Sequence, residues 1–286
     1  MMIEQQIHPF LKWAGGKRRL LPQLQAFFPK DFDSIQKYVE PFLGGGAMFF
    51  YLAQRFPSLD FYLSDLNSDL VSVYNHVKRD CVALCSLLLR LEQEYYHCPD
   101  SNSKADFYYS VREKFNNTQQ TIEASSYFIF LNKTCFNGLY RVNSRGNFNV
   151  PHGKYKKPAI CDKETIYAAS KLLQSAKIEN LDFSMSGTVA DSGTFVYLDP
   201  PYQKLTDSSF SSYTASGFDS LSQVKVASFF DSLSEKGAKA MLSNSSAPEL
   251  SFLYSQYRIE NIRAIRSINS NKNKRGQIDE ILVLNY

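Results

Sequence analysis

The chain has 286 residues, of which 44% are hydrophobic and 14% aromatic, enough for one full core and a second, smaller one. No stretch approaches the roughly 18 consecutive apolar residues of a membrane helix. Residues 1–10 also lack the basic stretch followed by an apolar stretch that is typical of a secretory signal. The formal net charge of +4 is too small to indicate a nucleic-acid partner by itself. We therefore expect a globular cytoplasmic protein with no membrane contact and no obligate protein partner.

The five cysteines form no CxxC pair, and Cys81 with Cys85 has the spacing of one helix face. This pattern predicts neither disulfide bonds nor a zinc site. We expect no bound metal.

The first elements form a β-α-β unit. Residues 37–43 have the length and composition of a strand, run into three glycines and are followed by a helical pattern at 47–55. A second strand is predicted at residues 59–63, and helical spacing follows at 67–77. Asp65 stands at the tip of this second strand.

The alternation then breaks. Two apolar helical segments, at residues 82–91 and 125–131, lead into a basic, turn-rich stretch. We interpret this part as an insertion, so that residues 1–66 and 163–286 form one discontinuous domain and residues 67–162 form a second, mainly helical one.

Strand and helix signals resume after the insertion. Strands are predicted at residues 178–183, 195–198, 238–242 and 278–284, with a helix at 224–233. Alternating strands and helices predict an α/β fold with a doubly wound, mostly parallel sheet.

Residues 133–157 contain no acidic side chain. Their cations are interleaved with aromatic residues, asparagines and glycines; the cations are Lys133, Arg141, Arg145, Lys154, Lys156 and Lys157. This pattern is typical of a nucleic-acid contact, and the alternative is a solvated basic loop. A second basic run, at residues 263–275, is either a phosphate-contacting loop or a mobile segment.

The glycine turn after the first strand permits close backbone approach to a ligand. It reads Phe42-Leu-Gly44-Gly-Gly and is neither GxGxxG nor a GxxxxGK[ST] phosphate loop, so a nucleoside-like ligand fits better than a dinucleotide or ATP. Asp65, about twenty residues later, is where nucleotide folds place an acid for ribose hydroxyls. The alternatives are glycines that only permit packing and an Asp65 that caps the next helix.

Asp199-Pro200-Pro201-Tyr202 follows the apolar strand at residues 195–198, and the carboxyl ends of such strands hold the sites of open α/β sheets. Asp199 and the Pro200 carbonyl can accept the two N–H bonds of a planar amine while Tyr202 stacks on its ring. Such binding localises the lone pair of a poorly nucleophilic exocyclic amine. The alternative is an ordinary strand-ending turn.

Four blocks in this order resemble the Dam-type, DpnM-like family of DNA adenine N6-methyltransferases. They are residues 10–17 (FLKWAGGK), residues 40–46, the segment 136–143 with 148–155, and residues 199–202. The resemblance implies a fold of the S-adenosylmethionine-dependent methyltransferase type with an inserted DNA-recognition domain at residues 67–162. It also implies a cytoplasmic enzyme, associated with nucleoid or viral DNA, that methylates adenine of GATC in duplex DNA.

The resemblance assigns roles to individual residues. Those implied to bind S-adenosylmethionine are Trp13, Lys17, Phe42, Gly44, Asp65, Asp182, Phe183 and Asp199. For Trp13 the alternative is core packing. The residues of the predicted reacting site are Asp199, Pro200, Pro201 and Tyr202, which receive a flipped adenine for direct methyl transfer without a covalent enzyme intermediate.

The family pattern also assigns the DNA contacts. It implies that Lys12 and Arg141 read guanines, while Leu139 and Pro151 contact thymine methyls. Phe136 and Asn137 correspond to positions that enter the duplex beside the flipped base. Arg145, Lys154 and Lys156 are assigned to phosphates.

Two rival functions stay open from the sequence. The first is a methyltransferase for another planar amine, such as cytosine N4, RNA or a glutamine side chain. The second is a DNA-binding relative without catalysis, against which the intact Asp199–Tyr202 motif argues.

Overall fold

The computed structural model describes residues 7–202, 218–265 and 277–286. Most of the basic run predicted at residues 263–275 lies outside these ranges. Within them, no helix combines the length and the apolar character needed to cross a membrane.

The core of the fold is a seven-stranded sheet in the order β3-β2-β1-β4-β5-β7-β6. The strands are β1 (Lys37–Glu40), β2 (Asp60–Asp65), β3 (Ala176–Asn180), β4 (Thr194–Leu198), β5 (Lys239–Ser245), β6 (Arg258–Ile265) and β7 (Gln277–Leu284). The pairs β1–β2, β1–β4 and β4–β5 are parallel, whereas β5–β7 and β6–β7 are antiparallel. The predicted α/β class with a mostly parallel sheet is confirmed.

The described helices are α1 (Leu21–Gln25), α2 (Ala47–Arg55), α3 (Ser68–His97), α4 (Ser101–Asn116), α5 (Ile122–Thr134), α6 (Lys163–Leu173), α7 (Phe183–Ser186), α8 (Ser220–Glu235) and α9 (Pro248–Leu253). The prediction for α2 is confirmed, and the helices predicted at 67–77 and 82–91 are two parts of α3. They join at a kink where Asp80 has φ −133° and ψ 36°. Helices α4 and α6 and strand β6 were not predicted.

The strand predicted at residues 178–183 is shifted. β3 ends at Asn180, and Asp182 accepts a hydrogen bond from the Ser184 amide at 3.0 Å, which starts α7. Capping by an aspartate side chain satisfies one of the free amides of a helix start. This local bond is why the chain turns into a helix where apolar content predicted a strand.

The two strands at the centre of the sheet are buried on both faces. Tyr38 and Val39 of β1 and all five residues of β4 are inaccessible to solvent, as expected for parallel strands covered by helices. From this centre the sheet extends through β2 to β3 on one side and through β5 on the other. The carboxyl ends of β1 and β4 therefore meet at the switch point of the sheet, where open α/β folds bind ligands.

Contacts between Cα atoms group the described residues into two compact units. The first unit takes those within Met1–Gly16, Gly44–Arg55 and Asn67–Ile178, and it contains α2 to α6. The second takes those within Lys17–Leu43, Phe56–Leu66 and Glu179–Tyr286, and it contains most of the sheet. The domain bounds drawn from the sequence remain a prediction.

Candidate active site and nucleic-acid interface

In the second unit, Asp199 directly follows β4 and is held by two donors. Lys17 Nζ lies 2.8 Å from Oδ1 of Asp199, and Ser243 Oγ donates to the same oxygen at 3.0 Å. Because a serine hydroxyl has one proton, the Tyr197 hydroxyl donates to Ser243 Oγ, at 2.9 Å. The carboxylate is therefore fixed by an ion pair and by a buried relay of two hydroxyl groups.

Tyr202, at the end of the same motif, is fixed by a carboxylate from β7. Its hydroxyl donates to Glu280 Oε2 at 2.7 Å, and Lys17 Nζ lies 4.5 Å from the centre of its ring. Burial, followed by the charges of Asp199 and Glu280, raises the pKa of the Tyr202 phenol well above its ordinary value. The hydroxyl therefore stays protonated and acts as the donor.

A buried amide pair supports the middle of the motif. Gln223 of α8 donates from Nε2 to the Pro201 carbonyl at 3.1 Å, and Asn244 of β5 donates to Gln223 Oε1 at 2.9 Å. Gln223 is 2% exposed and Asn244 is fully buried. A buried polar pair is stable only when its hydrogen bonds are made, so these bonds restrict the turn to one conformation.

This arrangement leaves acceptors for a planar amine. Among the described residues, Lys17 and Ser243 both contact Oδ1 of Asp199, which leaves Oδ2 as an acceptor. The Pro200 carbonyl is the second acceptor beside it, and neither proline can donate a backbone hydrogen bond. Two acceptors next to an aromatic ring match an amino group on a flat heterocycle.

Four of the predicted cofactor residues lie in the second unit around the ends of β1, β2 and β3. Phe42 stacks on Phe183 with ring centres 5.3 Å apart and planes at 28°. The Asp65 carbonyl at the end of β2 accepts a hydrogen bond from Asn180 at 2.8 Å, which ties the ends of β2 and β3 together. Two stacked aromatic rings, with carboxylates at the ends of β2 and β3, form a set of packing surfaces and hydrogen-bond acceptors that fits a nucleoside.

The alternative that Asp65 caps the next helix is excluded. The N-cap of α3 is Asn67, whose Oδ1 accepts a hydrogen bond from the Leu70 amide at 3.1 Å. Asp65 is only partly buried at the strand end, while Asp182 does have a local role as the cap of α7. The predicted cofactor contacts of both carboxylates remain predictions.

In the first unit, Trp13 lies against the glycine turn. A Cβ atom on Gly44 would meet Cδ1 and Nε1 of Trp13 at 2.9 Å, and one on Gly45 would meet Trp13 Cβ at 3.0 Å. The indole also stacks on Tyr140, with ring centres 5.9 Å apart. Glycine is therefore required at position 44 by the approach of Trp13 as well as by its φ of +48°.

The segment from Arg141 to Asn149 forms a hairpin-like loop in the first unit. Val142 and Phe148 form an antiparallel bridge, and Asn143 Oδ1 accepts the amides of Arg145 and Asn147 across the tip. Arg141 is held on the loop by Asn149, which accepts from its Nε at 2.6 Å and from Nη2 at 3.3 Å. Arg145 at the tip is exposed, so the two arginines differ in freedom.

Lys12 lies beside residues 132–138 and Tyr155. Its backbone amide and carbonyl are both bound by the Asn132 side chain, at 2.8 and 2.7 Å, and its Nζ lies 4.5 Å from the ring centre of Tyr155. The Tyr155 hydroxyl accepts the Asn137 amide at 2.9 Å. Of the predicted DNA contacts, Lys12 and Asn137 therefore share Tyr155 as a neighbour.

The other predicted DNA contacts lie on the same segment. Phe136 is 44% exposed, Pro151 is exposed and Leu139 is partly buried. Asn137 has φ +56°, a left-handed conformation that asparagine adopts more readily than most residues. The predicted insertion of Phe136 and Asn137 into a duplex remains a prediction.

Burial lowers the pKa of two lysines here. It lowers the pKa of Lys12, and burial together with repulsion from Lys12 lowers the pKa of Lys133 to about 8. Lys12 Nζ donates to the Lys133 carbonyl at 3.2 Å. The ammonium groups of Lys12 and Lys133 are thus partly removed from water before any anionic partner binds.

Sequence reasoning missed two supporting residues of the second unit, Glu280 and Gln223. It also did not assign Ser243 as a hydrogen-bond donor to Asp199. A signal for Glu280 was present, since a carboxylate inside the apolar strand at residues 278–284 requires a partner. In the part of the chain that the structure describes, no three His, Cys, Asp or Glu side chains group as metal ligands would.

Known proteins resemble this chain over nearly its full length. A family model described as D12 class N6 adenine-specific DNA methyltransferase matches residues 13–268. The type II methyltransferase M.MjaIII of Methanocaldococcus jannaschii is 43% identical over 289 residues, 98% of this chain and 100% of that protein. The DNA adenine methylase of Escherichia coli strain K12 is 35% identical over 276 residues, 96% of this chain and 94% of that protein. The similarity therefore covers both units.

Proposed function

The chain belongs to the D12 class of N6 adenine-specific DNA methyltransferases, and from this premise we propose that it methylates adenine N6 within GATC in duplex DNA. The methyl donor in this proposal is S-adenosylmethionine. The observation that carries the proposal is Asp199 at the end of β4, with Oδ1 held by Lys17 and Ser243. Because the substrate is DNA, the proposed compartment is the cytoplasm, where nucleoid or viral DNA is found.

The chain's own residues prepare the amine. Asp199 Oδ2 and the Pro200 carbonyl accept the two hydrogens of N6, while the Tyr202 ring stacks on the base. Both bonds draw N6 towards a tetrahedral geometry and localise its lone pair. Positive charge develops on N6 as the new bond forms, and the Asp199 carboxylate stabilises that charge. Bound S-adenosylmethionine would supply the methyl group: its S–CH3 bond would break as the N6–CH3 bond forms, leaving a neutral thioether, and Asp199 would accept the proton that N6 releases.

The donor set of the chain fits S-adenosylmethionine, which supplies an electrophilic methyl group on a sulfonium when it is bound. Asp65 accepts from the ribose hydroxyls, and Phe42 with Phe183 and Asp182 holds the adenine ring. Trp13 and Gly44 provide apolar surface and close backbone approach for the methionine portion. Lys17 binds its carboxylate, and Asp199 is a further proposed cofactor contact.

For DNA recognition, Lys12 and Arg141 donate to guanine O6 and N7, and Leu139 with Pro151 contacts thymine methyls. Phe136 and Asn137 occupy the space from which the target adenine is flipped, which offsets part of the unstacking energy. Arg145 contacts phosphate and positions the protein without reading sequence. Its exposure at the tip of the loop supports this division of roles.

The experiment that tests the proposal is methylation of unmethylated genomic DNA by the purified protein with S-adenosylmethionine, followed by single-molecule sequencing that maps modified bases. We expect N6-methyladenine confined to GATC. Methylation of adenine in another context contradicts the target sequence and retains the reaction, whereas N4-methylcytosine contradicts the choice of base.

A further inference from the structure

A second carboxylate, Glu280, reaches the site of Asp199 from β7. Its side chain is 13% exposed, and Oε2 lies 2.7 Å from the Tyr202 hydroxyl and 3.8 Å from Lys17 Nζ. β7 pairs antiparallel with β5, and in this register Glu280 lies opposite Ser245. Tyr202 and Glu280 are 78 residues apart in the chain, so the contact depends on the sheet.

The Glu280 contact restricts the ring of Tyr202. A hydrogen bond to the distal hydroxyl fixes the position of its oxygen and so limits rotation about χ1. Because the phenolic O–H prefers the plane of the ring, the direction of the acceptor also favours one orientation of the ring about χ2. A bond to a charged acceptor is about twice as strong as one between neutral groups. The face that Tyr202 offers to a base is therefore fixed by an acceptor at the far end of the ring.

Glu280 also limits the position of Lys17. The ammonium group lies between the two carboxylates, 2.8 Å from Asp199 and 3.8 Å from Glu280, and over the Tyr202 ring. Lys17 is 5% exposed, so its charge depends on these neighbours rather than on water. Glu280 thus contacts both the Tyr202 hydroxyl and the ammonium group that pairs with Asp199.

We propose that Glu280 is a positioning residue for the methyl transfer, which fixes the ring of Tyr202 through its hydroxyl and so sets the surface on which the target adenine stacks. This inference rests on the proposed function. Glu280 touches neither substrate nor methyl donor in this scheme, and its effect on the reaction passes through the Tyr202 ring. Loss of Glu280 should therefore change kcat more than KM for DNA, since the predicted DNA contacts are made by other residues.

The test compares the full-length wild type with Glu280→Ala, Glu280→Gln, Tyr202→Phe and the double variant Glu280→Ala/Tyr202→Phe. The readouts are kcat and KM for a duplex with one GATC site, with the fluorescence of 2-aminopurine at the target position as a report on stacking. Asp279→Asn is the matched control, because Asp279 is the exposed neighbour whose side chain points to the other side of the strand.

We expect Glu280→Ala to lower kcat about 10- to 100-fold, with KM for DNA within about threefold of the wild type. Glu280→Gln should retain kcat within about fivefold, because its amide oxygen still accepts the Tyr202 hydroxyl. Tyr202→Phe should lose as much as Glu280→Ala, and the double variant should be no worse than either single variant. The 2-aminopurine signal should change in the variants that lose kcat, and the Asp279→Asn control should match the wild type.

The inference is overturned if Glu280→Ala lowers kcat as strongly in the Tyr202→Phe background as in the wild type. It is also overturned if Glu280→Gln is as inactive as Glu280→Ala, since charge rather than the hydrogen bond would then matter. If Glu280→Ala does not fold, Glu280→Gln and Tyr202→Phe decide, and an unchanged kcat in Tyr202→Phe contradicts the inference. An active wild type with unchanged variants overturns this inference alone, whereas an inactive wild type overturns the proposed function with it.

Discussion

Lys17 Nζ lies 2.8 Å from Oδ1 of Asp199, and the two side chains are 5% and 21% exposed. A shielded ion pair is strongly destabilising to break from one side, because the remaining charge stays buried without its partner. The pair therefore links the stability of the second unit to the group that we propose binds the target amine.

Asp199→Asn is expected to lower kcat at least about 100-fold, because the amide no longer stabilises positive charge developing on N6. The free energy of unfolding should fall by about 1–3 kcal/mol, because Lys17 loses its nearer carboxylate and keeps Glu280 at 3.8 Å. Steady-state kinetics and urea unfolding measure the two effects, and DNA binding by fluorescence anisotropy should stay within about threefold. Asp191→Asn is the control, since this exposed carboxylate pairs with Lys37. Unchanged turnover in Asp199→Asn would contradict the catalytic assignment.

Ser243→Ala separates positioning from stability. The substitution removes one donor to Asp199 and leaves the buried hydroxyl of Tyr197 without its acceptor. We expect kcat to fall about tenfold and the free energy of unfolding to fall by about 1–3 kcal/mol. Adding Tyr197→Phe removes the orphaned hydroxyl, so the double variant should recover stability and not kcat. Recovery of both, or of neither, would argue against the relay.

The sequence was sufficient to predict β1, α2, β4 and the place of Asp199. These elements carry local signals: β4 is apolar after its first residue and its end is marked by an acid and two prolines, while β1 is a short strand that runs into the glycine turn. The same signals indicated the glycine turn, where Gly44 accommodates Trp13. Local sequence was enough here because the apolar strand, the glycines and the prolines each restrict the backbone conformation of their own segment.

The partners of the motif could not be predicted in the same way. Ser243 reaches Asp199 because β5 pairs in parallel with β4, and Glu280 reaches Tyr202 because β7 inserts antiparallel between β5 and β6. That order depends on packing between distant segments, which periodicity does not encode. Strand β6 was missed because polar residues occur on both of its faces, as is common for an edge strand.

Gly44→Ala should weaken the binding of S-adenosylmethionine about tenfold or more, since a Cβ atom at 2.9 Å forces Trp13 to move. Gly146→Ala is the control for strain alone, because Gly146 also has positive φ, +79°, and nothing lies within 4 Å of its Cβ position. Isothermal titration with S-adenosylmethionine and thermal unfolding distinguish the two variants. An equal loss of affinity in both would show that backbone strain, and not the contact with Trp13, is responsible.

Lys133 predicts a pH dependence of stability. Its pKa is lowered to about 8 in the folded protein, first by burial and then by Lys12, whereas the unfolded chain holds the proton up to about pH 10.4. Between these values the unfolded state binds more protons, so stability relative to a variant without this group rises with pH. Lys133→Met should therefore be more stable than the wild type at pH 7, with the difference shrinking from pH 8 to pH 10. Urea unfolding of both proteins across this range measures it, and a constant difference contradicts the shift.

Arg141 and Arg145 should differ in what they contribute to DNA methylation. Arg141 is held by two hydrogen bonds to Asn149, which suits a fixed base contact, while Arg145 is exposed at the loop tip. Arg141→Ala should reduce discrimination at one guanine by about 1–3 kcal/mol, measured as the ratio of kcat/KM for GATC and for a duplex with that base pair changed. Arg145→Ala should weaken binding to all duplexes alike and lower the salt dependence by about one phosphate contact. If Arg145→Ala relaxes specificity while Arg141→Ala does not, the two assignments are reversed, because a side chain that reads a base must lose sequence preference when it is removed.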